Sequence, residues 1–234
     1  MDFKQIAGET AAIKFIESGM VVGLGTGSTT RFAILKIGER IKNKELAIRG
    51  GIPTSRGSEE LAKSAGIPLL SLGEISYVDV TIDGADEIDE QFRLIKGGGG
   101  ALLREKMVAS ITKKEVIVVD PAKIVKTLGK EFPLPVEIVR FGWEHLQKCL
   151  AKLECEPKLR FKDGKPFITD NGNYIIDCKF QGIADPEKIN AELDRIPGVV
   201  ENGLFIGLTH VVVVGTDPGA KIFDKPGPDI FRNV

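Results

Sequence analysis

Three short segments of this chain carry residue types and spacings suited to chemistry. The first, Gly23-Leu24-Gly25-Thr26-Gly27-Ser28-Thr29-Thr30, follows an apolar run and precedes a helical pattern. Glycines let a backbone approach a ligand closely, and the free N–H groups of a helix start favour an anion such as phosphate. The same residues also suit a plain strand-to-helix turn, with Ser28 or Thr29 as the helix cap. The second segment, Asp83-Gly84-Ala85-Asp86-Glu87, sits at the carboxyl end of a strand, where open α/β sheets place ligands. Two carboxylates flanking a Gly-Ala turn can face one crevice, one moving a hydroxyl proton while the other holds a hydroxyl. An acidic surface turn and a carboxylate-held Mg²⁺ are the competing readings.

The third segment is Lys96-Gly97-Gly98-Gly99-Gly100-Ala101-Leu102-Leu103-Arg104-Glu105-Lys106. Four consecutive glycines are entropically costly to order, which argues against a plain linker. Lys96 places a cation before this nest of N–H groups, and Glu105 falls about one turn into the helix that follows. A helix start lowers the pKa of such a carboxyl and burial raises it, a balance the sequence leaves open. Together the segments supply an anion loop, two acids, a cation and a further acid. That set suits proton movement between adjacent carbons of a phosphorylated sugar: a base for the C2 proton, an electrophile for the enediolate, and an acid or base for ring opening.

The elements that must position these residues alternate. A helix is expected from the spacing of Phe3, Ile6, Ile13 and Ile16, then a strand over 20–24, a helix through Phe32 to Ile41 and a strand over 46–51. A helix near 58–65, a short strand near 68–71, a strand over 78–82, a helix over 101–111 and a strand over 115–119 complete the first part. This order predicts a Rossmann-like parallel sheet flanked by helices. After Phe132-Pro133 the order becomes β-α-β-β-α-β (strands 134–139, 158–161, 174–180 and 199–205; helices 143–153 and 186–196), with turns at Asp163-Gly164 and Asn171-Gly172. That is a ferredoxin-like α+β unit. Val211 to Val214 reads as a buried strand returning to the first sheet. The expected division is a large α/β catalytic domain from 1–130 plus 206–234, with a small α+β domain over 131–205 inserted in it.

Bulk properties narrow the partners. The 234 residues are 42% hydrophobic and 28% charged, with a formal net charge of −1, so nothing global draws the chain to nucleic acid or an anionic membrane. No apolar run reaches the roughly 18–20 residues of a membrane-spanning helix, and the N-terminus lacks a signal-peptide pattern. Cys149, Cys155 and Cys178 match no zinc or redox spacing and are expected as buried or half-buried thiols in a reducing compartment. Cytoplasmic residence is the expectation. His145 and His210 lie away from the acidic motifs and are read as structural or exposed; Trp143 is read as packing. A dinucleotide reading is weakened by the Gly-x-Gly-x-Gly spacing and by the lack of an acid after the second strand, although Arg56 leaves NADP open.

The stretches GLGTGST (23–29), DGADE (83–87), KGGGGALLREK (96–106), FPLPVE (132–137), TDNGN (169–173) and IPGVVENGLF (196–205) resemble the A-type ribose-5-phosphate isomerases. The resemblance runs from the first helix nearly to the C-terminus. It implies an aldose–ketose isomerase of the non-oxidative pentose phosphate pathway, without cofactor or metal, working through ring opening and an enediolate. It implies that Glu105 is the base between C2 and C1, and that Asp83 with Lys96 serves ring opening and oxyanion stabilisation. Asp86 is then a hydroxyl ligand that assists. Thr26, Gly27, Ser28 and Thr29 resemble the sugar-phosphate loop. Gly84, Ala85, Gly97, Gly98, Gly99 and Lys123 resemble further substrate contacts. A homodimer or homotetramer is also implied. The family loop often reads Gly-Gly-Gly-Ala where this chain has Gly97 to Gly100, and 51–57 departs from a serine-rich version. A phosphosugar-sensing domain without turnover is the alternative, with an amino-sugar phosphate deaminase and a coenzyme A transferase as further ones.

Overall fold

The computed structural model describes residues 2–232. In chain order the first part contains α1 (Phe3–Phe15), β1 (Val21–Leu24), α2 (Thr30–Lys42), β2 (Gly50–Pro53), α3 (Arg56–Ser64) and β3 (Val78–Asp83). It continues with β4 (Glu87–Ile88), β5 (Leu94–Ile95), α4 (Leu102–Ser110) and β6 (Thr112–Val119). Next come β7 (Leu134–Ile138), α5 (Trp143–Leu150), β8 (Glu156–Leu159), the hairpin β9 (Phe161–Lys162) and β10 (Lys165–Pro166), and β11 (Tyr174–Lys179). The chain closes with α6 (Pro186–Leu193), β12 (Val199–Asn202), β13 (Leu204–Phe205), β14 (Val211–Gly215), β15 (Ala220–Phe223) and α7 (Asp229–Arg232).

A six-stranded sheet of order β15-β14-β6-β3-β1-β2 is parallel except for the edge strand β15. Its central strands are apolar on both faces, as a parallel sheet covered by helices requires. Val211 to Val214 does return to this sheet, beside β6. A second sheet, β12-β7-β11-β8, is antiparallel throughout and carries the expected β-α-β-β-α-β order. Between them lies a three-stranded sheet, β13-β5-β4.

Several expectations shift. Of the stripe Phe3, Ile6, Ile13 and Ile16 only Ile16 is buried; Ile13 is 58% exposed, and the buried face of α1 is Ala7, Gly8, Ala11 and Ala12. The reason is close approach, since a Cβ on Gly8 would lie 2.6 Å from the Thr29 carbonyl oxygen. The second strand begins at Gly50, not Leu46; Leu46 and Ile48 are core residues in a loop before it. The segment 68–71 contributes only an isolated bridge from Leu69 to Gly51. The run 199–205 divides at Gly203, which donates to Pro135 and accepts from Lys96, so one apolar stretch serves two sheets. The edge strand β15 was not anticipated, because it follows a Gly- and Pro-containing turn and none of its four residues is fully buried. Among the described residues no helix is long and apolar enough to cross a membrane.

Candidate active site

The site forms where β1, β3 and β5 end and α2 and α4 begin. β3 lies between β1 and β6 in parallel register, with Asp83 beside Ile117, so the DGAD turn emerges at the carboxyl edge of the sheet. Asp83 is buried there. Its Oδ1 accepts from the Thr26 amide at 3.0 Å and from the Gly84 amide at 2.7 Å. Gly25 is required beside it, because a Cβ at that position would sit 2.3 Å from Asp83 Oδ1.

Lys96, at the end of β5, is among the largest fully buried side chains of the described residues, 2% exposed. Its ammonium lies 3.1 Å from Asp83 Oδ2 and 3.1 Å from Glu105 Oε1, and it donates to the Gly84 carbonyl. The Phe205 ring stands 5.3 Å from the same nitrogen. Glu105 enters from the first turn of α4 and is 4% exposed. Its Oε2 has no hydrogen-bond partner, as expected of an oxygen reserved for a ligand. Asp86 accepts from the Gly98 amide at 2.7 Å, which ties the DGAD turn to the glycine loop.

One ammonium serves two buried carboxylates here, and this settles the balance left open for Glu105. Burial pushes its carboxyl up to about 8, against the pull of the Lys96 ammonium and with help from the Asp83 charge. Burial also raises Asp83, opposed by Lys96 and by the Gly84 and Thr26 amides. Lys96 is raised despite its own burial, because both carboxylates favour its charged form. Asp83 has two backbone donors beyond Lys96 while Glu105 has none, so Glu105 is the carboxyl that more readily holds a proton.

A cavity of about 120 Å³ opens over this cluster. It is lined by Thr26 to Thr29, by Gly84, Ala85 and Asp86, by Lys96 to Gly99, and by Glu105, Lys123 and Lys4. Asp83 does not line it, lying behind Lys96, so the two acids of the DGAD turn do not both face the crevice. Lys123 arrives from the turn Pro121–Lys123 after β6, which Asp120 caps through the Ala122 amide. Neither Ser28 nor Thr29 caps α2 through its side chain; Thr30 Oγ1 instead donates to the Gly27 carbonyl.

Sequence reasoning passed over four residues. Lys4 reaches the cavity from the start of α1, and a lone lysine on an N-terminal helix carries no motif. Thr54 and Ser55, at the end of β2, each lie 2.8 Å from Thr26 Oγ1 and set the phosphate-type loop. Arg160 donates to the carbonyls of Gly97 and Gly98 from outside the six-stranded sheet. His145 and His210 are exposed and outside the cavity, and Trp143 packs against the second core. Among the described residues no group of three or more His, Cys, Asp or Glu could hold a metal ion.

Comparison with known proteins identifies the arrangement. The family described as ribose 5-phosphate isomerase A (phosphoriboisomerase A) matches residues 50–219. Ribose-5-phosphate isomerase A of Bacillus mycoides (strain KBAB4) is 52% identical over 222 residues, covering 94% of this chain and 99% of its own. The solved ribose 5-phosphate isomerase A of Methanocaldococcus jannaschii superposes with a TM-score of 0.91 at 42% identity, over 96% of this chain and 99% of that one. A D-ribose-5-phosphate isomerase solved in complex with phospho-erythronic acid gives 0.92 at 40% identity, over 96% and 100% of the two chains. The chain belongs to the ribose 5-phosphate isomerase A family.

Proposed function

We propose that this protein interconverts D-ribose 5-phosphate and D-ribulose 5-phosphate by acid–base chemistry. The observation that carries the reading is the buried Lys96 ammonium, 3.1 Å from both Asp83 and Glu105, at the floor of a cavity rimmed by the Thr26–Thr29 loop. A small phosphorylated sugar fits that rim: the Thr26–Thr29 loop at the start of α2 suits the phosphate, with Lys123 and Lys4 adding charge.

In the proposed reaction Asp86 takes the C1 hydroxyl proton while the Lys96 ammonium gives a proton to the ring oxygen, which breaks the bond from C1 to that oxygen and opens the furanose. The proton on Asp86 then restores the ammonium through water. The Glu105 carboxylate then removes the C2 proton. Negative charge develops on the C1 oxygen, where Lys96 and a glycine-loop amide stabilise the enediolate. A proton then passes from the C2 hydroxyl to the C1 oxygen, Glu105 returns its proton to C1 as the C2 carbonyl forms, and the ketose leaves. Asp83 works through Lys96, holding it charged and aimed. A carboxyl near 8 is well matched to this task, because a base is most effective with a pKa close to the working pH.

Two further parts of the proposal concern assembly. Residues 1–130 with 206–234 are taken as the catalytic domain, with 131–205 as a smaller domain that braces it. The protein is taken as a homodimer or homotetramer in solution, which light scattering tests. Against the phosphosugar-sensor reading stands the placement of Glu105 at the cavity with its carboxyl pushed up to about 8, a proton acceptor that binding alone does not need. The test of the function is conversion of ribose 5-phosphate by the purified protein in EDTA without added nucleotide. Turnover supports the isomerase; binding without turnover overturns it in favour of a sensor.

A further inference from the structure

We infer that Arg160 is a positioning residue for the reaction, fixing the direction of the glycine-loop amides from the second sheet. The inference rests on the isomerase reading above. Arg160 stands between β8 and β9, and its backbone is locked on both sides: its amide donates to Ile175 at 2.8 Å and its carbonyl accepts from Phe167 at 2.9 Å. Its guanidinium forks onto Asp177 of β11, Nε to Oδ2 at 2.8 Å and Nη2 to Oδ1. The remaining nitrogen, Nη1, donates to the Gly97 carbonyl at 2.8 Å and to the Gly98 carbonyl at 3.1 Å. The Phe167 ring lies 5.8 Å from the guanidinium and closes its outer side.

The consequence follows from peptide geometry. In a trans peptide the C=O and the next N–H point in opposite directions, and the unit is planar and stiff. Holding the Gly97 carbonyl toward Arg160 therefore turns the Gly98 N–H away, and that N–H is the one that binds Asp86 Oδ2 at 2.7 Å. Holding the Gly98 carbonyl the same way turns the Gly99 N–H in the same sense, and Gly99 lines the cavity. One guanidinium thus sets two amides. One of them orients Asp86, and the other faces the ligand as a donor for a developing oxyanion. Glycines have no side chain to hold such a direction themselves, so an external clamp is needed. Because Asp177 balances its charge, Arg160 acts as a rigid fork and not as a field on the substrate; lysine, a single point donor, cannot reproduce it.

The test uses the full chain with Arg160→Lys and Arg160→Gly. Misplacing the loop is expected to lower kcat by ~10- to 10²-fold, the scale of a displacement of about an ångström near reacting groups. Affinity for inorganic phosphate, which addresses the Thr26–Thr29 loop, is expected to stay within about twofold of wild type. Methylguanidinium is expected to restore part of the Arg160→Gly rate. Backbone amide resonances of Gly98 and Gly99 should move in Arg160→Lys while those of Thr26 to Thr29 hold, a readout independent of turnover. Wild-type kcat in Arg160→Lys, or a rate loss that only tracks lost folded protein with unmoved glycine resonances, overturns the inference. An inactive wild type would instead overturn the isomerase reading.

Discussion

At the scale of residues, charge is shared unequally among Asp83, Lys96 and Glu105. The pH dependence follows with a definite sign. Glu105 must be ionised to act as a base, and its carboxyl stands at about 8. We expect kcat/KM to rise roughly tenfold per pH unit below that value and to level off above it. A limb near the ordinary carboxylate range would contradict the burial argument. Stability runs the other way. The folded value lies above the unfolded one, so the contribution is fully present below the unfolded pKa and is lost as pH rises through about 8. Glu105→Gln removes that loss. Its melting temperature should gain on wild type between acidic pH and pH well above 8, and a pH-independent difference would refute this. Lys96→Ala leaves two buried carboxylates without their cation, which should cost about 3–5 kcal/mol and impair both binding and rate. Unchanged kinetics would remove Lys96 from the site.

At the scale of elements, the sequence was legible wherever apolar periodicity and glycine spacing coincide. The first two motif segments lie at the ends of β1 and β3, as strand-end reasoning requires; the third follows β5, a two-residue strand that the sequence reading did not anticipate. It was less legible where small residues do the packing. The buried face of α1 is Ala7, Gly8, Ala11 and Ala12, invisible to a search for large apolar side chains, and the glycines of β2 hid the strand behind Leu46 and Ile48. The close fit of α1 has a functional side. Gly8→Val would drive side-chain atoms into the Thr29 carbonyl and the start of α2. We expect about 1–3 kcal/mol of lost stability and a raised KM for the phosphorylated substrate, measured by denaturant melts and steady-state kinetics. A lower stability with an unaltered KM would separate α1 from the phosphate loop.

At the scale of the molecule, the second sheet reaches the catalytic edge through contacts no local pattern announces. Arg160 is one. The strap 169–173 is another, in which buried Glu137 Oε1 accepts from Thr169 at 2.9 Å, Asn171 at 3.2 Å and Asn173 at 2.9 Å. From the same strap Asn171 Oδ1 and the Asp170 carbonyl accept from Arg104, the neighbour of Glu105, at 2.9 and 3.1 Å. The TDNGN and FPLPVE stretches were recognisable by resemblance, but their mutual contact spans 32 residues and needed the fold to appear. Glu137→Ala leaves the buried Thr169 hydroxyl and the side-chain amides of Asn171 and Asn173 without their acceptor. A loss on the order of 1–3 kcal/mol is expected, together with a lower kcat as α4 loosens. Full activity in a destabilised variant would confine the strap to a structural role.

The most direct measurement compares wild type with Glu105→Gln for ribose 5-phosphate isomerisation near pH 8, alongside phosphosugar affinity for each. The wild type is expected to turn over and the variant to be slowed by ~10²–10⁴-fold at nearly unchanged affinity, since only the proton acceptor is removed. Near-normal turnover by Glu105→Gln, or no turnover by the wild type, would contradict that expectation.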